Sequence, residues 1–432
     1  MALSKIESPS IATGAVTVST ISDNTVTSAK LTTTGVTANT YGNTTAIPVL
    51  TVDASGRITN ATTSSVSDVT TVQAGTAAAP SITTTGDTNT GIFFPAADTI
   101  GASEGGVSIG NMNTWYRGLF CKTDPTIVAW TKTGAGTATT SSILYIEVNG
   151  ALKTIASGTS ISMPTLASGT DYAIWAKTDG TLQATTDHTS PPTANARKVG
   201  GFHYAHGGNA TAQSGGNTTP AINEYSMWDL KWRPTAPDPR GMTLVGGGYW
   251  ADIYLTGVDA ITNGSSKYNV TMADGSSPPK VPTMFGGNGS TTYGTYTWFE
   301  AMELATAFGK RCPTQAEFMS LAYGTTEASS IGSDQGSTIL NAAYTSKWGV
   351  MQAAGVLFVW GRDRGGAFNT SGWDANTEGR GSEYNAPNSA LFGGGWDYGA
   401  IAGSRCSLWN NSASFSASYI GSRFVCDHLQ LD

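Results

Sequence analysis

The residues best equipped for covalent or metal chemistry are four cysteines and four histidines. Cys121, Cys312, Cys406 and Cys426 form no CxxC pair, so neither a zinc ribbon nor a dithiol redox site is encoded. They are expected as unbridged, mostly buried thiols of a chain made in a reducing compartment, with a Cys406–Cys426 bridge as the disfavoured alternative. His203 and His206 stand three apart in GFHYAHGG, a spacing that can serve a metal. No acidic or cysteine ligand nearby completes a set, so these two, with His188 and His428, are expected to be structural or surface residues. Asp363/Asp374 and Glu378/Glu383 could be paired as hydrolase carboxylates, but turn-forming or solvated roles are the expectation. No Ser–His–Asp signature, phosphate loop or zinc motif occurs. The sequence therefore does not read as an enzyme.

Non-covalent recognition is better supplied. The last hundred residues are rich in Gly, Asn and aromatic side chains. In SFSASYIG, Phe415, Ala417 and Tyr419 alternate with Ser416 and Ser418. On extended backbone the two sets point to opposite sides. Either the large residues face a core and the serines face water, or Phe, Ala and Tyr form an outward adaptable patch. On the residues alone the core-facing reading leads.

The elements that must hold such a patch follow from composition. Only 12% of the 432 residues are charged and 53 are Gly, which disfavours long solvated helices and suits short strands with tight turns. The length allows two to four domains. Net charge is −7 with no basic cluster, which argues against nucleic-acid binding. No run of about 20 apolar residues spans a membrane. The first sixteen residues carry one Lys and no apolar core, so no secretory signal is expected.

Three regions are expected: 1–112, 113–220 and 221–432. The first reads as short β segments, AVTVSTI, NTVTSAKL and PVLTVDASGRITNA, too poor in apolar surface to form a core without neighbouring chains. The second reads as a small β-sandwich, with Asn149-Gly150 as a hairpin turn. The third opens on a Pro-rich break, KWRPTAPDPRGM, and carries two helices. Thr297/Glu300 and Thr314/Glu317 are reciprocal capping boxes. Trp298, Ala301, Met302, Ala305 and Phe308 mark the buried face of the first helix, Phe318 and Leu321 that of the second, and Gly309 and Gly324 stop them. The whole is expected to be α+β and mainly β.

Residues 40–66 and 80–106 resemble modules of phage tail fibres. GKRCPTQAEFMSLAYG, AAGVLFVWGRD, FGGGWDYGAIAGSRC and YIGSRFVCD resemble, in that order, the formylglycine-generating-enzyme-like branch of the C-type lectin fold. From about residue 116 to 432 the chain resembles the major tropism determinant family, phage receptor-binding proteins diversified by a retroelement. GTDYAIWAKTDG, ARKVGGFHYAHG, GGNTTPAINEYSMWDLKWRP, DPRGMTLV, WADIYLTGV, SKYNVTMADGS, TSKWGVMQAAG and VCDHLQLD carry that resemblance. The N-terminal part departs from the family, with fibre repeats where the family has another module.

The resemblance implies a homotrimer at the distal tail fibre of a virion, whose C-terminal C-type-lectin-like domain is a scaffold for exchangeable side chains. Aligned without gaps from the C-terminus, the family's variable positions fall on Gly395, Asp397, Tyr398, Gly399, Ile401, Leu408, Asn410, Asn411, Phe415, Ala417, Tyr419 and Ile420. With the resemblance, the outward reading of Phe415, Ala417 and Tyr419 takes precedence. An Asn codon randomised at its adenines encodes no Glu, Lys, Gln, Met or Trp, and none of these occurs at the twelve positions. Trp396, Arg405, Trp409 and Arg423 fall at non-variable positions and are expected as scaffold: packed Trp, and Arg donating to loop carbonyls. The partners implied are a host bacterial surface protein or glycan, further copies of the chain, and other tail-fibre or baseplate proteins. No cofactor is required by this reading, although it leaves room for a structural calcium. A formylglycine-generating activity would need cysteines just after Trp396, and none stands there before Cys406. A calcium-dependent sugar lectin is the main alternative, because Trp409-Asn410-Asn411 resembles the WND segment of such lectins, though a partner Glu-Pro-Asn is absent. A structural fibre spacer is a third, opposed by the non-repetitive C-terminal region.

Overall fold

With so few charges to coat a long helix, the chain is built mainly of strands in the computed structural model. Only two helices longer than one turn occur among the described residues. Those residues are 12–17, 19–22, 25–27, 30, 32–43, 46–65, 72–111, 117–368, 372, 373 and 379–431. They belong to two compact units, Met1–Met112 and Asn113–Asp432.

In the first unit, Ala46–Val52 and Ile58–Ser65 form an antiparallel hairpin. Its turn is held by Asp53, which accepts from the backbone of Ser55 and Arg57 at 2.9 Å each. Ile82–Thr84, Asp87–Ala96, Thr99–Glu104 and Val107–Asn111 make a four-stranded sheet in chain order. AVTVSTI was expected as a strand, yet its described residues are turns and bends, and NTVTSAKL likewise has no strand among its described residues. Thr/Val alternation fits a strand only where a neighbour completes the ladder, and none does so among the described residues. Ile47, Val49, Leu50 and Val52 stay about half exposed, as expected for segments too thin to bury their own apolar faces.

The second unit opens with two packed sheets. One contains Phe120–Lys122, Leu144–Val148 and Ala151–Ile155. The other runs Ile161–Ser162, Leu182–Thr185, Thr170–Ala176, Arg197–Ala205, Ala221–Ile222. Phe120, Leu144 and Ile146 from the first meet Tyr172, Ile174, Val199 and Phe202 from the second in one core. Asn149 and Gly150 adopt φ of 52° and 77°, the left-handed pair that a two-residue hairpin turn requires. Trp228–Asp229 also pairs with Arg197–Ala205, so this sheet continues past residue 220. Asp229 is fully buried and accepts from Lys122 Nζ at 3.0 Å and from the Ala129 amide at 2.8 Å.

The remaining chain forms two four-stranded sheets. Trp232–Pro234, Val425–Gln430, Tyr249–Asp252 and Met242–Val245 make one. The Pro-rich stretch is thus no linker: it supplies an edge strand, where Pro234 loses no ladder bond inside the sheet. Ser407–Asn411, Pro387–Phe392, Phe358–Phe368 and Ile420–Gly421 make the other.

Both helices start where the sequence places them. Trp298–Ala307 is capped by Thr297, whose amide donates to Glu300 at 2.7 Å. Gln315–Leu321 is capped by Thr314, whose amide donates to Glu317 at 2.8 Å. The first buries Ala301, Leu304 and Ala305 fully, while Trp298, Met302 and Phe308 are half-buried against the same core. Leu304, absent from the expected face, lies at its centre. Lys310 and Asp252 form a buried ion pair at 2.6 Å, with Ser265 as the second acceptor for Lys310 at 2.8 Å.

Candidate functional site

The expected scaffold begins with Arg423, which is fully buried. Its Nη1 donates to the carbonyls of Asp252 and Ile253 at 2.8 and 2.6 Å, and its Nη2 to those of Met351 and Gln352 at 2.6 and 3.0 Å. A planar fork with fixed donors is the side chain suited to bridging two separate stretches of backbone, here the end of the Tyr249–Asp252 strand and the turn at Met351–Gln352. Burial pushes the guanidinium down to about 9, still charged at neutral pH. Trp396 and Trp409 are half-buried against one core cluster, and the Trp409 ring sits edge-on to Phe392 at 6.2 Å. Arg405 departs from expectation. It is exposed, and among the described residues no hydrogen bond to a loop carbonyl holds it. The backbone turns outward at Ser404–Arg405, because Glu327 accepts from the Ser404 amide and hydroxyl at 2.9 and 2.6 Å.

Five of the twelve expected binding residues stand together on one core. Tyr398, Leu408, Phe415, Ala417 and Tyr419 are half-buried against Phe358, Trp360 and Leu391. Phe358 is the hub: its ring lies 4.7 Å from Tyr398 and 6.4 Å from Tyr419, and these two tyrosines are 6.0 Å apart. Burial, then Tyr419 and Asp397, push the Tyr398 phenol up, so it stays protonated and able to donate. Asp397, Gly399, Ile401 and Asn410 are exposed, Ile401 to 71%. Asn411 is half-buried in the strand that pairs with Ser389.

Two of the twelve do not face solvent. Ile420 is fully buried in the same core, and Gly395 is buried beside Tyr419. Gly395 bridges to Val356 and Ile420 pairs with Phe358, so each is a rung of the inner ladder rather than a displayed side chain. The 415–419 segment is not a strand either. It is an irregular loop whose residues are all half-buried, so neither the core-facing nor the outward reading holds alone. Phe415 and Tyr419 pack against the core and keep part of their surface accessible.

Side chains distant in sequence fix these loops. Ser330 Oγ accepts from the Gly399 amide at 2.8 Å, and the Gly332 amide donates to the Trp396 carbonyl at 2.8 Å. Gly403, at φ +156°, packs so closely on Glu327 that a Cβ would lie 2.3 Å from its carboxylate. The sequence reading missed Glu327 and Ser330, since nothing local links them to residues about seventy positions away.

The other candidates for chemistry have structural roles. All four cysteines are thiols, so Cys406 and Cys426 are unbridged, and burial raises Cys312 to about 12. His203 is buried between Asp171, 3.0 Å from Nδ1, and the Tyr254 hydroxyl, 2.9 Å from Nε2. His206 stacks on Tyr268 at 3.6 Å. Asp363 accepts from the Gln315 amide at 2.6 Å, and Glu383 pairs with Arg364 at 2.7 and 2.5 Å. Asp374 and Glu378 lie outside the described residues. Among the described residues no group of three or more His, Cys, Asp or Glu is placed to hold a metal.

Known proteins share this architecture. Residues 128–229 match a family profile described as Mtd second domain, which ends at the last strand of the packed sheets. The chain is 49% identical over 369 residues to the tail fiber receptor-binding protein of Bordetella phage BPP-1, covering 83% of this chain and 95% of that protein. It superposes on the Major Tropism Determinant P3c variant with a TM-score of 0.76 at 46% identity, covering 84% of this chain and all of that one. The M1 variant gives 0.75 at 48% identity, covering 83% and 97%.

Proposed function

The chain belongs to the major tropism determinant family of phage tail-fibre receptor-binding proteins, and we propose that its C-terminal region grips a host surface receptor through the half-exposed cluster around Tyr398 and Tyr419. It is a non-enzymatic binding protein of the virion tail fibre. The finer reading is that residues 221–432 form a C-type-lectin-like scaffold, that the chain is a homotrimer, and that exchangeable side chains at the family's variable positions select the host.

The observation that carries this reading is the footing of the cluster. Tyr398, Leu408, Phe415, Ala417 and Tyr419 share one core, while Asp397, Ile401 and Asn410 project beyond it. Rigid tyrosine and phenylalanine rings offer contact area at low entropic cost, and Asn and Asp add adaptable hydrogen bonds. Ten of the twelve positions suit this role; Gly395 and Ile420 are better assigned to the frame. Ser330 ties down the backbone at Gly399, Glu327 holds the neighbouring Ser404, and Arg423 braces the frame beneath through residues 252–253 and 351–352. Three copies per fibre would raise a weak single-site affinity through effective concentration.

The receptor grip requires no calcium in this reading. The sugar-lectin alternative predicts that EDTA releases the protein from host cells; retention in EDTA supports the direct-contact reading. A photo-crosslinking residue at Asn410 should capture a host-surface component, while the same probe at the exposed Thr154 should not. Equal capture from both positions, or none from Asn410, would overturn the assignment.

A further inference from the structure

A second recognition feature lies away from the Tyr398 cluster. Two cavities of about 540 and 530 Å³ adjoin at Tyr323, which lines both, and make a two-part groove. The first is bordered by Lys132, Tyr225 and Lys347, the second by Trp348 and Arg405. Tyr225 stands edge-on to Trp348 at 5.0 Å, and Lys347 Nζ lies 5.2 Å from the centre of the Trp348 ring, so side chains of the two walls touch. The Trp348 ring is fixed by its Nε1, which donates to the Ser320 carbonyl at 2.9 Å. Gly324, at φ +101°, lets the Lys347 amide approach where a Cβ would lie 2.8 Å from it.

The charge pattern is unusual for this chain. The protein carries 23 Lys and Arg against 30 Asp and Glu. Yet three cations line this groove against a single carboxylate, Glu224, and among the described residues none of the three has an ion-pair partner. Tyr323 and Lys347 are exposed, and Arg405 is exposed for the reason given above. An anion entering the groove would meet unpaired donors without first breaking a salt bridge. Aromatic rings beside those donors suit a ligand with an apolar C–H face and a hydroxyl-rich edge.

We propose that this groove binds an acidic oligosaccharide, a chain of sugars carrying carboxylate or phosphate groups. The sugar rings lie against Tyr323 and Trp348, and the anionic groups are held by Lys132, Lys347 and Arg405. The site goes beyond the receptor grip, since none of these residues is among the displayed side chains.

The test is calorimetric titration of the full chain with trigalacturonic acid, a phosphorylated mannotriose and neutral galactotriose, at about 20 mM salt, where surface charges are little screened. The two acidic probes separate carboxylate from phosphate as the anion. We expect at least one acidic probe to bind, to weaken as salt rises, and to bind at least roughly tenfold more weakly to the Lys347→Gln/Arg405→Gln variant. Tyr323→Ala should weaken it too, with an unchanged unfolding transition in both variants. Binding of galactotriose as strong as the acidic probes, no binding of either acidic probe, or full binding by the double variant would overturn the proposal. Asn410→Ala must leave acidic-probe binding intact, so failure here and failure of the receptor assignment are told apart.

Discussion

Arg423→Met would remove the clamp that joins two stretches of backbone. Four carbonyls, those of Asp252, Ile253, Met351 and Gln352, would lose their donor in a site with no solvent access. A bond from a charged donor contributes roughly 1.5–3 kcal/mol net, and an orphaned buried carbonyl costs about 1–3 kcal/mol. These figures cannot simply be added, because the guanidinium's own desolvation is relieved when it is removed. Its Nε is buried without a partner among the described residues, so the loss falls on the four carbonyl bonds alone, and breaking such a buried network is expected to cost about 3–5 kcal/mol. Arg423→Lys offers one ammonium where two forks are needed, so it should recover part of that loss, leaving a deficit of about 2 kcal/mol. Urea unfolding followed by tryptophan fluorescence measures both. A loss below about 1 kcal/mol for Arg423→Met, or identical losses for Met and Lys, would refute the reasoning.

Other perturbations have distinct signatures. Asn410→Ala and Ile401→Ala should change stability by no more than about 0.5 kcal/mol while weakening host adsorption, whereas Ile420→Asn should cost roughly 3 kcal/mol or more because it places an amide in the core; thermal unfolding separates them. Thr314→Ala should cost about 1 kcal/mol through loss of its capping box, seen as a lowered urea midpoint. Trp409→Ala should cost about 2–3 kcal/mol rather than unfold the region, since only part of its ring is buried, and calorimetry would show it. Burial depresses His188, His206 and His428, and His428 Nδ1 accepts from Trp250 Nε1 at 3.0 Å, a bond only an unprotonated Nδ1 can take. The unfolded chain therefore binds more protons than the native one below about pH 6.5, so stability should fall as pH drops from there. A melting temperature that rises on acidification from pH 7 to 5.5, or a fall that His428→Gln does not lessen, would contradict this.

What the sequence made legible was local and periodic. The capping boxes at Thr297/Glu300 and Thr314/Glu317, and the Asn149-Gly150 turn, need only residues within three positions of each other, and each stands where the spacing placed it. Arg423 as a donor to loop carbonyls also held, because a buried guanidinium has few other fates. What failed depended on distant partners. The Thr/Val alternation of AVTVSTI names a strand, but no neighbour among the described residues pairs with it. Arg405 reads like Arg423, yet Glu327 captures the preceding Ser404 and turns Arg405 outward. The alternation in SFSASYIG implied one buried and one exposed face; the actual loop half-buries both sets. Ile420 and Gly395 look like neighbours of displayed residues in sequence, and only the pairing with Phe358 and Val356 reveals them as frame.

The central claim is that a fixed frame displays recognition side chains that fold integrity does not need. It is tested most directly by replacing Asp397, Tyr398, Ile401, Asn410, Phe415 and Tyr419 together with alanine in the full chain, then measuring host-cell adsorption and thermal unfolding on the same preparation. The expected result is adsorption reduced at least roughly a hundredfold, as for loss of several aromatic anchors, with a cooperative transition retained. Undiminished adsorption, or a chain that no longer unfolds cooperatively, would contradict the account.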